Sequence, residues 1–492
     1  MSDFPKGAVS VLNTTAEAAA GAGMVKPKWV SRKILADLAL VGDMAALFAS
    51  AWAAYYIYLE TFLGTPIDRL GYLFIVTIVA ALFYIISRQR GQYGEQMDFR
   101  FPSQLSTLIH VCALTIASAF SVVFFLKIQT AFSRGWVVLW MAILLGLLTL
   151  GRALLARYVD ALLKSGMLRR SVTLIGAGPQ FSKARALLEA EPHDFELAGM
   201  LDLAEPDPVA SFDAAKLAEE ISPFITRAQE KHVDSVLIAL PSGMGLELER
   251  IVQRVQMLPV DVQVLPDLGR ASLLARNVQK MGGDYVITTA LKPMTGWSTL
   301  LKRMEDVVVG GFCLVAFLPA MAVIALAIKV DSEGPVLFRQ RRHGYNHRVI
   351  EVLKFRTMRL MEDGAVVRQA TRNDSRVTRV GAFLRRTSLD ELPQFLNVLR
   401  GEMSIVGPRP HALAHNSYYG TLIEKYANRH RVKPGITGWA QVHGFRGETI
   451  DPSMMEERVR YDLDYIESWS IWLDFKIMIM TPLFGLFRRS AY

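Results

Sequence analysis

The sequence predicts a membrane protein of mixed α and α/β class. An N-terminal four-helix transmembrane bundle is expected over 34–160, a parallel α/β domain over 171–292, and a C-terminal domain over 298–492 that carries a re-entrant membrane helix at 304–330. Three observations lead there. Hydrophobic residues make up 51% of the 492 and are clustered, for a mean hydropathy of +0.25, which is a membrane signature. After residue 170, short apolar runs alternate with helical stretches, the pattern of a parallel sheet. A further apolar segment, 304–330, has cations on both flanks.

Residues 1–25 are rich in Ala, Gly, Ser and Thr and lack a continuous apolar run after a basic start. That argues against a cleaved signal peptide, and 1–33 is expected to be a disordered tail. Four apolar segments follow at 34–59, 70–87, 105–126 and 136–158, each near the roughly 20 residues that span a bilayer as a helix. Asp37 and Asp43 in the first are expected to face other helices or the interface, as interhelical hydrogen-bonding groups or as part of an ion path. Lys26, Lys28, Arg32 and Lys33 precede the first span, Arg88, Arg90 and Arg100 fill the second loop, and Lys164, Arg169 and Arg170 follow the fourth. The opposite loops offer only Arg69, Lys127 and Arg134. The N-terminus and everything after residue 160 should therefore be cytoplasmic, in a multi-pass membrane protein. Cys112 and Cys313 both lie in apolar runs, so no disulfide framework is implied.

The stretch SVTLIGAGPQFSKARALLEA reads as strand, Gly176-x-Gly178 turn and helix, and further strands are expected at 195–202, 233–240 and 260–266. A dinucleotide-binding turn is one reading. Position 181 is Phe where the third glycine of that fingerprint would stand, and no acidic ribose partner is evident, so the other reading is a structural or regulatory Rossmann-like module.

Segment 304–330 is apolar enough to cross a membrane, yet Lys302 and Arg303 precede it and Lys329, Arg339, Arg341 and Arg342 follow. Both flanks ask to be cytoplasmic. Pro319, which has no N–H to donate, sits near its middle. A re-entrant hairpin turning near Pro319 reconciles the two, with a kinked full span as the alternative.

Beyond it lies the cationic segment. From Arg339 to Arg386 there are 13 Lys or Arg against 4 Asp or Glu, a local excess equal to the +9 of the whole chain. The cations are interleaved with apolar residues, as in structured elements. No aromatic-rich strand surface or recognition helix points to nucleic acid. Phosphates or anionic lipid fit better, because arginine grips phosphate oxygens in pairs. The segment ends in Ser388-Leu389-Asp390-Glu391, which fits an S-x-x-E capping box. It fits equally an ionised aspartate at a helix N-terminus, favoured by the dipole and by Arg385 and Arg386 and suited to attack phosphorus or to hold a hard cation. At the C-terminus Trp469, Trp472, Phe475 and Ile479 recur at near-helical spacing, with Lys476, Arg488 and Arg489 near them. That pattern suits an interfacial helix, or packing against the preceding domain.

From about Lys302 onward the sequence resembles the bacterial sugar transferase family of polyprenyl-phosphate phosphoglycosyl transferases. The resemblance rests on KRMEDVVVGGFCLVAFLPAMAVIALAIKVDSEGPVLFRQRRHG, KFRTM, SLDELPQFLNVLRGEMSIVGPRP and RVKPGITGWAQVHG, in that order. With the four spans and the α/β module, it is similar to the large branch of the family. The resemblance implies transfer of a sugar-1-phosphate, glucose or galactose by default, from a UDP-sugar to undecaprenyl phosphate with release of UMP, priming exopolysaccharide, capsule or O-antigen synthesis. It implies Asp390 as nucleophile, Glu391 as its acidic partner and Mg²⁺ near the pair. It further implies Arg409 as a phosphate-binding arginine, Lys354, Arg356 and Arg385 as basic motif positions, Pro319 as the re-entrant turn, contact with membrane lipid, and a homodimer. The family often has Ser before that proline; here it is Leu318. Two other functions remain as alternatives: a conventional membrane glycosyltransferase releasing UDP, and a non-catalytic membrane scaffold.

Overall fold

The computed structural model describes residues 31–487, apart from 65–68, 95–96, 126, 128–132, 193, 204–213, 231–232, 242, 267–277, 282–283, 360–373, 375, 412, 424 and 446–451. The expected tail up to residue 30, and Arg488 and Arg489, lie outside the described residues. The described chain divides into two compact units, one ending at Arg169 and one beginning at Arg170.

The first unit holds four long apolar helices, α1 (Arg32–Ala54), α2 (Arg69–Gln89), α3 (Phe101–Phe125) and α4 (Arg134–Lys164), each long and apolar enough to cross a membrane. Ser31 caps α1 by accepting the Ile34 N–H at 3.2 Å. Beyond Ala54 the helix continues over Tyr55–Phe62 in wider π-type turns. The inward faces meet through Leu47, Leu59, Tyr72, Phe83, Leu108 and Trp136. Trp136 and Trp140 donate their indole N–H groups to the Ala51 and Leu47 carbonyls of α1 at 3.2 and 3.3 Å. Asp43 is buried and accepts from Arg152 of α4 and from the Tyr93 hydroxyl. The in-membrane carboxylate is thus an interhelical tie, the simpler of the two readings. Outward-facing residues such as Leu70, Phe74 and Val138 are left apolar and exposed, as a lipid-facing surface requires.

The second unit opens with β1 (Arg170–Gly176), α5 (Gly178–Ala190), β2 (Phe195–Asp202), α6 (Ala214–Glu230), β3 (Ser235–Ala239), α7 (Gly245–Val255) and β4 (Asp261–Val264). A hairpin of β5 (Val278–Met281) and β6 (Asp284–Ala290) completes a six-stranded sheet of order β2-β1-β3-β4-β6-β5. The first four strands are parallel, and β6 joins β4 antiparallel. β1 and β3 are buried almost end to end because helices cover both faces. Gly176 is required by close approach: a Cβ there would lie 2.3 Å from the Ala239 carbonyl oxygen. Asp202 ends β2 in register with Gly176. An acidic residue that the sequence reading did not single out therefore stands beside the glycine turn, a neighbourhood visible only once β1 and β2 pair.

Next comes α8 (Trp297–Asp331), 35 residues long and the fifth helix apolar enough to span. At 1.5 Å per residue it extends roughly 52 Å. Pro319 lies inside one uninterrupted helical assignment and does not separate two helices. Both halves nevertheless pack on the same body. Arg303 donates to the Val398 and Leu399 carbonyls at 2.7 Å each, and Asp306 accepts from the Ser404 hydroxyl at 2.7 Å and the Ile405 N–H at 2.9 Å. Further on, Met321, Ile324, Ala325 and Ile328 pack with Phe355, Leu384 and Leu392. Between them Phe312, Val315 and Leu318 are exposed.

The rest of the unit comprises the antiparallel hairpin β7 (Leu337–His343) and β8 (Val349–Phe355), then α9 (Arg379–Thr387), α10 (Gln394–Arg400), β9 (Ser404–Val406), α11 (Leu413–Leu422), β10 (Gly435–Thr437), α12 (Trp439–Val442), α13 (Pro452–Glu467) and α14 (Ile471–Phe487). β9 and β10 pair in parallel. Asp474 of α14 is fully buried and accepts from Lys302 at 2.7 Å, the Tyr465 hydroxyl at 2.9 Å and the Trp469 indole at 3.0 Å. Packing against the preceding domain is what the structure shows, since Asp474 is buried and Trp469 packs on the core, while Trp472 and Ile479 are exposed.

Candidate active site

The acidic pair sits in a short 3₁₀ turn, Leu389–Glu391, between α9 and α10. Ser388 ends α9 with a left-handed backbone (φ 59°) and forms no side-chain cap, so the expected capping box is not made. Pro393 is the N-cap residue of α10, where its missing N–H is not needed. Asp390 therefore precedes the helix and does not lie in its first turn, which corrects the expectation that a helix dipole acts on it. Leu389 and Leu392, three apart, anchor the turn in the cluster around Phe355 and Leu384, which leaves Asp390 and Glu391 free to face away from it.

Glu391 is buried between two cations. Arg409 grips it with Nη1 to Oε2 at 3.1 Å and Nη2 to Oε1 at 2.5 Å, and Lys354 Nζ donates to Oε1 at 3.0 Å. Lys354 comes from β8, where alternation sends Phe355 into the apolar cluster and Lys354 to the opposite face. Burial opposes the charge on Glu391, but Arg409 and then Lys354 overcome it and hold the carboxyl well below the usual glutamate range. Burial lowers the Lys354 ammonium, and Arg409 and Arg342 add to this against the pull of Glu391.

Asp390 behaves oppositely. Burial raises its pKa above 3.8, Glu391 adds to the rise, and Lys354, Arg409 and Arg385 work against it. The sequence reading expected cations to settle this group in its anionic form; desolvation, which a sequence does not display, wins instead. One carboxylate is pinned as an anion, and its half-buried neighbour is more basic than a free aspartate.

The other expected positions divide. Arg385 is half-buried at the end of α9 and acts on Asp390 through its charge. Arg356 is buried and spends its guanidinium on backbone, donating to the Ser332 carbonyl at 2.7 Å, the Ser332 hydroxyl at 3.0 Å and the Glu333 carbonyl. It clasps the end of α8 and is not presented to the acidic pair. Pro319 lies on α8.

Sequence reasoning missed the scaffold behind Arg409. Arg429 donates to the Arg409 carbonyl at 2.9 Å and to Asp462 at 2.6 Å, and Arg342 donates to the Pro410 carbonyl. The Gly407-Pro408-Arg409-Pro410 stretch has two residues without N–H groups, so side chains supply the order that a strand ladder would otherwise give. Gly407 runs so close to the next strand that a Cβ would lie 2.5 Å from the Lys433 carbonyl oxygen. Two prolines flanking an arginine were the available signal.

Fold and site together define a polytopic membrane protein whose second unit carries an acid pair set among cations. Comparison with known proteins refines this: the chain belongs to the bacterial sugar transferase family. The model of that family, "Bacterial sugar transferase", matches residues 297–488, and one described as "CoA-binding domain" matches 88–266. The chain is 36% identical over 458 residues to the UDP-glucose:undecaprenyl-phosphate glucose-1-phosphate transferase of Escherichia coli K12, covering 92% of this chain and 95% of that protein. The Xanthomonas campestris protein of the same name is 37% identical over 477 residues, covering 93% and 95%. The Caulobacter vibrioides protein, also of that name, is 53% identical over 193 residues, 39% of this chain and 72% of that one.

Proposed function

We propose that this protein transfers glucose-1-phosphate from UDP-glucose to undecaprenyl phosphate and releases UMP, priming polysaccharide assembly at the cytoplasmic face of the bacterial inner membrane. Glucose is preferred over galactose because the relatives matching nearly the whole chain carry that donor in their names. The observation that carries the reading is the division of labour in the acid pair. Glu391 is saturated by Arg409 and Lys354, while Asp390 accepts no hydrogen bond among the described residues and has a raised proton affinity.

In this mechanism a carboxylate oxygen of Asp390 attacks the phosphorus that bears the sugar. The bond from that phosphorus to the bridging oxygen breaks, and UMP leaves. An oxygen of the lipid phosphate then attacks the same phosphorus and expels the carboxylate, so Asp390 returns unchanged. Glu391 holds Arg409 and Lys354 in fixed positions, where their charge stabilises the crowded phosphoryl oxygens. Mg²⁺ belongs to the proposal. A carboxylate offers about four lone-pair positions; among the described residues those of Asp390 accept no hydrogen bond and Glu391 uses three, so Asp390, with the remaining position on Glu391, would hold a hard cation, which would supply charge neutralisation for the donor diphosphate. No nucleic acid enters the reading, and a homodimer does, checked by light scattering of the detergent-solubilised protein.

The re-entrant course of α8 is also proposed. Its two halves pack on one body and the apolar middle is exposed. Both ends then stay on the cytoplasmic side, with the bend distributed about Pro319. Cysteine at Glu333, in a background lacking Cys112 and Cys313, should resist a membrane-impermeant reagent in intact cells; ready labelling would mean a full span.

The reaction is tested by product analysis with purified protein, Mg²⁺, undecaprenyl phosphate and a panel of UDP-sugars. UMP formed from UDP-glucose is the expected product. UDP would indicate sugar transfer alone, and a folded but silent protein would favour the scaffold.

A further inference from the structure

A second cluster of chemistry-bearing side chains lies where the β7–β8 hairpin turns. His343 ends β7, and His347 closes the 3₁₀ turn Tyr345–His347 that leads into β8. Asn346 and His347 are both left-handed, at φ 54° and 56°. Such backbone is strained for a bulky residue and brings His347 over His430, which arrives from the separate 3₁₀ turn Tyr426–Arg431. The His347 and His430 ring centroids are 4.4 Å apart, with His343 at 6.0 and 5.7 Å from them.

We propose that His343, His347 and His430 bind one divalent transition-metal ion of the imidazole-preferring kind, Zn²⁺ in the first instance, at a structural site separate from the carboxylate pair. One nitrogen from each ring lies within 4.8 Å of the others. The Nε2 atoms of His347 and His430 are buried and have no hydrogen-bond partner among the described residues. Packing of three rings alone would give no reason for two orphaned buried nitrogens, because buried polar atoms are nearly always satisfied.

The Asn416 side-chain amide stands 2.8 Å from His343 Nδ1. That contact is made by its Nδ2, while its Oδ1 accepts from the Tyr426 hydroxyl at 2.7 Å, so the amide holds the His343 ring in place from the side away from its Nε2. The nearby Arg429 charge is balanced by Asp462. An ion at about 2.1 Å from each nitrogen sets them roughly 3.4 Å apart, so from a spacing within 4.8 Å the rings would close by at most about 1.4 Å on loading.

The site would act through its sequence neighbours. Arg342, next to His343, donates to the Pro410 carbonyl; Arg429, next to His430, donates to the Arg409 carbonyl. An ion joining the two turns would stiffen both supports of Arg409.

The test uses the full chain in detergent, stripped with chelator and titrated with Co²⁺, whose visible absorption reports tetrahedral nitrogen ligation. One Co²⁺ per chain is expected, displaced by Zn²⁺, indifferent to excess Mg²⁺ and unaltered in Asp390→Asn. His347→Asn, which suits a left-handed backbone, should weaken binding by more than about tenfold and abolish the rise in Tm that Zn²⁺ gives the parent. If that variant does not fold, His343→Gln is read instead. Absence of the band, its survival in the folded histidine variant, or its loss in Asp390→Asn would each overturn the proposal.

Discussion

The grip of Arg409 and Lys354 on Glu391 can be tested by a double-variant cycle. Glu391→Gln removes the anion and leaves two largely buried cations facing an amide; Arg409→Gln leaves the carboxylate with Lys354 alone. Removing one partner of a buried, hydrogen-bonded ion pair costs about 3–5 kcal/mol. The second unit, Arg170–Tyr492, has roughly 320 residues, for an unfolding entropy near 0.7 kcal/mol/K, or about 1.5 °C of Tm per kcal/mol. Each single variant should therefore lower the Tm of that unit by about 4–7 °C in scanning calorimetry. The double variant should cost less than the sum by about 1.5–3 kcal/mol, the worth of the charged hydrogen bonds. The acid limb gives a second readout. Glu391 is depressed on folding, so its stabilisation is complete above its ordinary value of 4.5 and is lost as pH falls through the folded value. Between about pH 5 and pH 3 the parent should lose more stability than Glu391→Gln. Additivity within about 0.5 kcal/mol, or single-variant shifts below a degree, would refute the reasoning.

Other outcomes follow from the same geometry. The raised Asp390 pKa sets the acid limb of kcat/KM above pH 3.8, and Glu391→Gln, by removing a neighbouring negative charge, should move the limb of its residual activity to lower pH; a limb unmoved in the pH–rate profile would uncouple the pair. Arg356→Ala should lower Tm by about 4–9 °C through lost charged hydrogen bonds while the KM for UDP-glucose changes less than about twofold; the reverse result would return Arg356 to phosphate binding. Arg152→Leu should destabilise the helical bundle by stranding Asp43, and the double Asp43→Leu/Arg152→Leu should restore much of the loss, as read by thermal resistance in detergent. Omitting Mg²⁺ from the assay should stop turnover and leave Tm unchanged.

Where function was legible in the sequence, local pattern was enough. The apolar runs foretold α1 to α4, β2 spans the expected 195–202, and the dense run of motifs drew attention to the turn where Lys354 and Arg409 meet Glu391. What stayed hidden depends on pairing across long separations. Asp202 acquires meaning only beside Gly176, and the Asp462–Arg429–Arg409 chain links residues of three different elements. Arg356 shares the KFRTM motif with Lys354, yet the two side chains end in different surroundings, one on the end of α8 and one on Glu391. The β5–β6 hairpin carried no recognised strand signal. The Asp390 pKa turns on desolvation against charge, a balance set by how deeply the turn is buried.

The central claim is that Asp390 carries the phosphosugar. Intact-protein mass spectrometry after brief incubation with UDP-glucose and Mg²⁺, without lipid acceptor, tests it most directly. The account predicts one added hexose-1-phosphoryl group on a peptide containing Asp390, stoichiometric release of UMP, and loss of the adduct on adding undecaprenyl phosphate. An adduct that persists in Asp390→Asn, or full lipid-dependent turnover in that variant, would contradict it.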